Sequence, residues 1–371
     1  MMESEAALGI ESIDTPALVV DLDIMERNMK RMALRAEEAG VRLRPHVKTH
    51  KSPWIALKQL QYGAFGITVA KIGEAEVMRK HGITDILIAY PIVGEQKLRR
   101  LEKLAAHAEV TVALDSVEAA RGISEVGRRL GKTMSLYIDV DTGLQRCGRQ
   151  PGEETLQLAR DIAKLPFVRI TGLMTHAGHS YKADSQEERI RISRLEGALL
   201  AETKRLIEEK LGLDIPEISV GSTPTSFHCK EVEGITEIRP GTYVFNDATM
   251  VSLGLAGIVD CALTIHTTVV SRPSEDRAVI DAGSKTLSSD KGAYTEGYGC
   301  IRSAPQVRID RLSEEHGVML TAHDFPVSIG GRLEIIPNHV CPTVNLADEL
   351  IGIRNGKVET VIPVEARGKN K

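Results

Sequence analysis

Cysteine is scarce in this 371-residue chain: there are five (Cys147, Cys229, Cys261, Cys300 and Cys341), odd in number and widely scattered. Such spacing excludes a disulfide framework and fits free thiols in a reducing compartment, where a cysteine with a task is a ligand or a nucleophile. Long apolar runs are missing as well, none approaching the roughly 20 residues that cross a membrane. The first twenty residues, MMESEAALGIESIDTPALVV, begin acidic and lack the basic start and apolar core of a signal peptide. A cytoplasmic location is therefore expected. Aromatic residues make up 4 % of the chain, the net charge is -4, and no dense Lys/Arg stripe is present. Phosphate neutralisation needs a clustered basic surface, so nucleic acid is not the expected partner. Beyond a β/α rhythm there is no internal repeat.

What is present is enough chain for two domains, with 42 % hydrophobic and 26 % charged residues, ordinary for a globular protein. Short β-branched runs alternate with amphipathic segments. The strand candidates are VRLRPHV, FGITVA, DILIAY, EVTVALD, MSLYIDV, VRITGLMTH, EISVG and TEIRPG. Between them lie helix-like stretches such as Glu74 to Lys80, Glu95 to His107, Ser116 to Leu130, Glu154 to Lys164 and Glu187 to Lys210. Eight such units over this length predict an α/β fold of the (β/α)8 TIM-barrel type, with an open doubly wound sheet as the competing arrangement. From about Leu255 the texture changes to strands separated by Gly, Pro, Asn and Asp turns, which reads as a C-terminal all-β domain. The expected division is a barrel over 15–254 and a β domain over 255–371, with residues 1–14 packed on the latter. ALVVDLD at 17–23, followed by a helix over Ile24 to Ala39, completes that β domain or covers the bottom of the barrel.

Active residues of such barrels collect at the C-terminal strand ends. Strand one ends in PHVKTH (His46, Lys48, Thr49, His50), strand five in DVDTGLQRCG (Arg146), and strand six in THAGHSY (His176, His179, Tyr181). Strand seven ends in Gly221, Ser222 and Thr223, and strand eight in Arg239, Gly241, Thr242 and Tyr243. Each has a plainer reading: a solvated basic loop, a salt bridge from Arg146 to Asp139 or Asp141, a core histidine, a turn, a buried aromatic. A lysine opposite Gly/Ser/Thr loops able to bind phosphate is, however, what pyridoxal 5'-phosphate requires: an amine to form an imine and a distant anion site.

The motifs RPHVKTHKS, GITVAKIGEAEVM, ILIAYPIVG, DVDTGLQRCG, THAGHSY, GSTPT, RPGTYVFND, DAGSKTLSSDKG and PNHVCPTVNL together resemble the D-threonine aldolase and D-serine dehydratase family, metal-dependent pyridoxal phosphate enzymes with the alanine racemase-like fold. The resemblance spans essentially the whole chain. It implies that Lys48 holds the cofactor covalently, that Arg146 lies near the phenolic oxygen of its ring and that His176 packs on the ring face. It implies further that Gly221, Ser222 and Thr223, with the backbone of Gly241, Thr242 and Tyr243, hold the phosphate. Arg239 matches the arginine that meets the ring nitrogen in alanine racemases.

His339 and Cys341 stand two apart in PNHVCP; in an extended segment both would project from one face and reach one ion. Imidazole and thiolate suit zinc, whereas manganese or magnesium prefers oxygen ligands. The resemblance adds a small D-amino acid as substrate and a head-to-tail homodimer with shared active sites, which would explain how ligands nearly 300 residues beyond Lys48 join it. D-β-hydroxy-α-amino acid lyase chemistry follows as the expectation: D-threonine aldolase, cleaving to glycine and an aldehyde, with D-serine or D-threo-3-hydroxyaspartate dehydratase as the alternative. His179, Tyr181 and His50 are the acid/base candidates. A racemase would need a second base, usually a tyrosine, where this chain reads VIDAGSKT.

Overall fold

A computed structural model describes residues 9–292, 295–321 and 325–371. It divides into two compact units, one holding residues through Met29, Thr49–Trp54 and Thr242–Arg367, the other Lys30–Lys48, Ile55–Gly241 and Gly368–Lys371.

The strands in chain order begin with β1 (Ala17–Asp21), which belongs to the first unit. β2 (Arg42–Leu43), β3 (Ile67–Val69), β4 (Asp85–Ile88), β5 (Glu109–Leu114), β6 (Met134–Asp139), β7 (Val168–Met174), β8 (Glu217–Val220) and β9 (Glu237–Ile238) form the second. They make one parallel eight-stranded sheet in the order β2-β9-β8-β7-β6-β5-β4-β3. Its edges meet: Phe65 N donates to Leu43 O, Thr68 N donates to Pro45 O, and His46 bridges Thr68 in parallel. All eight expected strands are present in the expected order. Leu87, Ala113, Tyr137 and Met174 pack together inside. The helices between strands form for legible reasons. In Val117–Leu130, Ser116 caps the first turn through Ala119 N, the buried positions 119, 120, 123, 126 and 127 share one face, and Gly131 ends it with φ +62°.

The first unit holds β10 (Leu263–Ser274), β11 (Arg277–Ile280), β12 (Cys300–Ile301), β13 (Arg308–Leu312), β14 (Gly317–Leu320), β15 (Arg332–Ile336), β16 (Glu349–Arg354) and β17 (Lys357–Pro363). With β1 they form a nine-stranded sheet, β11-β14-β13-β12-β15-β10-β1-β16-β17. β10 also pairs with β11, so six strands close into a ring. Its first half lies between β15 and β1; its second half passes on to β11.

Three points refine the expected domain organisation. The chain divides at 241/242, not 254/255, because Ala248 N and Thr249 N donate to Pro337 O and Asn338 O while Val340 N donates to Asp247, tying 247–249 into the β unit. Residues 17–21 complete the β unit, since β1 pairs antiparallel with β10 and parallel with β16. Before it, Gly9 bridges Lys357 and Ile10 N donates to Gly356 O; residues 1–8 of the expected N-terminal packing lie outside the described residues. This β unit also carries the short helices Ala248–Ser252 and Val340–Leu346. Among the described residues no helix is long and apolar enough to cross a membrane.

Candidate active site

In the barrel unit, strand ends bring the expected cationic and imidazole groups together. Past β2 the chain turns at Val47–Thr49, which carries Lys48, and Lys48 N lies 3.5 Å from His46 Nδ1. Burial, then the positive charges of Lys48 and Arg239, the neighbouring His176 and the charge of Arg146, hold the His46 pKa well below its ordinary value. His176 is held down to about 3 by burial first and by Lys48 next. Both imidazoles are thus neutral at physiological pH. His176 Nδ1 is 2.9 Å from Gly221 O, which fixes the ring with Nδ1 as donor.

Arg146 sits on the loop after β6, which is pinned at both ends. Asp141 Oδ1 accepts from Gly143 N (2.9 Å) and Gln145 N (3.0 Å), Val140 bridges Arg149, and Gly148 N donates to Asp115 Oδ2 (3.0 Å). Gly148, at φ +102°, has room for no side chain: a Cβ there would lie 2.7 Å from Asp141 N. Arg146 is exposed and, among the described residues, pairs with neither Asp139 nor Asp141. Burial raises Asp139 to about 6 despite Arg239 and Arg146.

The loop after β7 forms the turn Gly178–Lys182, with His179 and Tyr181. His179 packs on the Arg146 loop, since a Cβ on Gly143 would lie 3.2 Å from its ring. Its Nδ1 is buried without a hydrogen-bond partner among the described residues, and burial lowers its pKa. After β8, Gly221 adopts φ +126°, and a Cβ there would meet Arg239 N at 2.9 Å. Ser222 and Thr225 cap one another (3.1 and 3.3 Å), Ser222 Oγ lies 3.0 Å from Ser180 Oγ, and Gly241 N donates to Thr223 Oγ1 (3.2 Å). Several of the groups expected to meet a phosphate therefore meet each other.

Arg239 is fully buried, and its terminal nitrogens donate to Ser219 Oγ and Thr175 O. Ser219 donates to Glu237, which also accepts from Arg44 Nε at 2.9 Å, and Arg44 continues to Asp85. This chain escaped the sequence reading. A signal existed, because Glu237 and Arg239 flank Ile238 in TEIRPG and project to one side of a short strand.

Thr49, His50, Thr242, Tyr243, His339 and Cys341 belong to the β unit. His339 and Cys341 do not lie in an extended segment: His339 caps the helix Val340–Leu346 and Cys341 is in its first turn. Their side chains still converge. Burial would lower the His339 pKa, but hydrogen bonds to Cys341 and to Asp290 (2.8 Å from Nδ1) raise it to about 10. Cys341 Sγ is 3.3 Å from Thr49 Oγ1. Asp290, within DAGSKTLSSDKG, holds the imidazole through Nδ1. Among the described residues no group of three or more His, Cys, Asp and Glu side chains could hold a metal; His339 and Cys341 offer one imidazole and one thiol, donors of the kind a borderline cation such as zinc accepts.

Comparison with known proteins follows the same outline. Residues 20–249 match the alanine racemase N-terminal domain family, and residues 262–353 match a serine dehydratase domain family. The chain is 36 % identical to D-threo-3-hydroxyaspartate dehydratase of Delftia sp. (strain HT23) over 354 residues, 90 % of this chain and 92 % of that protein. It superposes on the crystal structure of D-threonine aldolase from Filomicrobium marinum with a TM-score of 0.90 at 35 % identity, covering 99 % of this chain and 100 % of that one. A cysteine-to-alanine mutant of D-threo-3-hydroxyaspartate dehydratase, solved in the metal-free form, superposes with a TM-score of 0.89 at 33 % identity over 96 % of this chain and 98 % of that one. This family implies pyridoxal phosphate as cofactor. The chain belongs to the alanine racemase-like family of D-threonine aldolases and D-serine and hydroxyaspartate dehydratases, and it is a lyase-family enzyme.

Proposed function

We propose that this chain is a D-threonine aldolase, a pyridoxal phosphate- and divalent metal-dependent enzyme that cleaves D-β-hydroxy-α-amino acids to glycine and an aldehyde. The observation that carries the reading is the grouping of Lys48, Arg146 and neutral His176 about His46 at the barrel strand ends. An amine, a guanidinium and an uncharged imidazole suit the aldehyde carbon, phenolic oxygen and flat face of a pyridoxal ring. The bare approach at Gly221, where a Cβ would collide with Arg239 N, suits a close-lying phosphate. When bound, the cofactor supplies a sink for electrons from a bond broken at Cα.

The chain's own groups account for the rest. Lys48 would hold the cofactor through its ε-amine. Arg146 would orient it, and Gly221, Ser222, Thr223, Gly241, Thr242 and Tyr243 would hold its phosphate. Arg239, with two nitrogens engaged by Ser219 and Thr175, braces the strand ends. His179, kept neutral by its partial burial, takes the proton of the β-hydroxyl, with Tyr181 beside it in the same turn. His339 and Cys341 would hold zinc, or manganese or magnesium in its place, and such an ion acidifies a coordinated hydroxyl. The relative's cysteine mutant in the metal-free form supports metal dependence. A homodimer of cytoplasmic location completes the reading.

Cys341 also favours a second reading, dehydration of D-serine or D-threo-3-hydroxyaspartate, in which Lys48 takes the α-proton and hydroxide leaves. Product analysis separates the two. Metal-reconstituted protein incubated with D-threonine is expected to yield glycine and acetaldehyde; 2-oxobutanoate and ammonia in their place would establish the dehydratase.

A further inference from the structure

The helix Gln186–Leu211 carries one carboxyl that the chemistry above does not use. Glu196 is 1 % exposed, and its carboxyl faces the Thr225 hydroxyl and the backbone N–H groups of Gly221 and Ala177, with Arg239 near enough to attract it. One oxygen, Oε2, is buried without a hydrogen bond among the described residues. Burying a carboxyl in this way is costly unless its partners matter to the fold or the site. Burial raises its pKa to about 7, which moderates that cost by allowing protonation.

The partners are informative because they come from separate strand ends. Ala177 follows His176 after β7; Gly221 and Thr225 belong to the loop and short helix after β8; Arg239 follows β9. Gly221 links them directly. Its N–H faces Glu196, while its carbonyl oxygen accepts from His176 Nδ1 at 2.9 Å. A carboxyl set behind this peptide fixes the plane of Gly221, and with it both the tilt of the His176 ring and the direction in which the backbone of Ser222 and Thr223 points. The side-chain hydrogen bonds of that loop run mostly within it, between Ser222, Thr225 and Ser226. They set the shape of the loop, and Ser222 Oγ with Ser180 Oγ (3.0 Å) is a side-chain contact that ties it to the turn after β7.

We propose that Glu196 is a positioning residue for cofactor phosphate, holding the Gly221–Thr223 backbone in its binding orientation from the outer side of the barrel mouth. The inference rests on the reading that pyridoxal phosphate binds at these strand ends.

The test uses the full-length protein stripped of cofactor, as wild type, E196A, E196D and E196Q. Each is titrated with pyridoxal phosphate and, separately, with pyridoxal, which has the aldehyde but no phosphate; imine absorbance and borohydride trapping on Lys48 are the readouts, with thermal midpoints recorded alongside. E196A is expected to weaken pyridoxal phosphate binding about tenfold, the equivalent of one lost hydrogen bond, with pyridoxal binding unchanged. E196Q, which keeps an oxygen facing the N–H groups, restores the phosphate-dependent affinity. If E196A does not fold, E196D carries the test, since it withdraws the carboxyl by one methylene and is expected to show the same selective loss. Equal weakening of both ligands, or of neither, overturns the proposal. Wild type that forms no imine with pyridoxal phosphate overturns the functional reading itself, a result visible before any variant is compared.

Discussion

Asp290 is worth more attention than its exposed position suggests. It accepts from His339 Nδ1 at 2.8 Å and so fixes which nitrogen of the ring is presented beside Cys341. Carboxylates behind ligating imidazoles typically contribute 10–100-fold to metal affinity. Asp290→Ala is therefore expected to weaken zinc binding by about 10–100-fold, measured by competition with a chelating dye; unchanged affinity would mean that the pair does not bind metal through that ring nitrogen. At this scale the sequence was readable where a residue type is unusual for its setting. Lys48 between two histidines and Arg146 between glycine-rich turns stand out from strand-end composition. Glu196 does not: it is one of several glutamates in QEERIRISRLEGALLAETKRLIEEKL, and only packing against Gly221 distinguishes it from exposed Glu187. Its neighbour Gly197 hints at close packing, but a glycine inside a helix names no partner.

Among the elements, the turn after β8 is tightly constrained. Gly221 combines φ +126° with a 2.9 Å approach of a built Cβ to Arg239 N. Gly221→Ala is expected to cost about 1–3 kcal/mol of stability, read by denaturant unfolding, and to lower cofactor affinity together with it. A variant as stable as wild type would show that β9 yields without penalty. The eight barrel strands were legible because parallel strands covered on both faces read as short apolar runs, and the helices between them show a 3.6-residue period. In the β unit that clarity fades. β14 and β16, GVML and ELIGIR, are short strands inside turn-rich stretches, each paired on one side with a strand remote in sequence. The HVC motif was placed in an extended segment because i, i+2 spacing matches a strand. Pro342, in the first turn of Val340–Leu346, was the overlooked mark of a helix start, where a missing N–H does no harm.

For the whole molecule, acid tolerance should be governed by buried imidazoles and carboxyls pulling in opposite directions. His46 and His176 have folded pKa values below the ordinary 6.5, so they bind fewer protons folded than unfolded; the stability they contribute is present above pH 6.5 and is lost as pH falls through their lowered values, about 3 for His176. Asp139, Asp247 and Glu196, raised by burial to about 6, 6 and 7, act the other way: their contribution is present near pH 4 and below and is lost as pH rises through 6 to 7. Comparing thermal midpoints of wild type and His176→Asn isolates one histidine. The advantage of wild type is expected to shrink between pH 6.5 and 3, by on the order of a few kcal/mol, and a difference independent of pH would contradict the assignment. A second expectation concerns truncation after Leu255. It removes β10 and β16, both neighbours of β1, and an unpaired apolar strand invites association between chains. Light scattering should find the truncated protein aggregated, and a monodisperse product would show that β1 is dispensable. The same pairing orders events at the ribosome. Residues 30–241, nearly all of the barrel unit, can begin to organise as soon as they emerge. ALVVD, translated earlier still, gains one neighbour only when residues 263–266 emerge and the other only when 351–353 do. For most of its synthesis the nascent polypeptide thus trails a sticky leading segment, and a chaperone that shields those five residues would have the most to do before the last fifty codons are read.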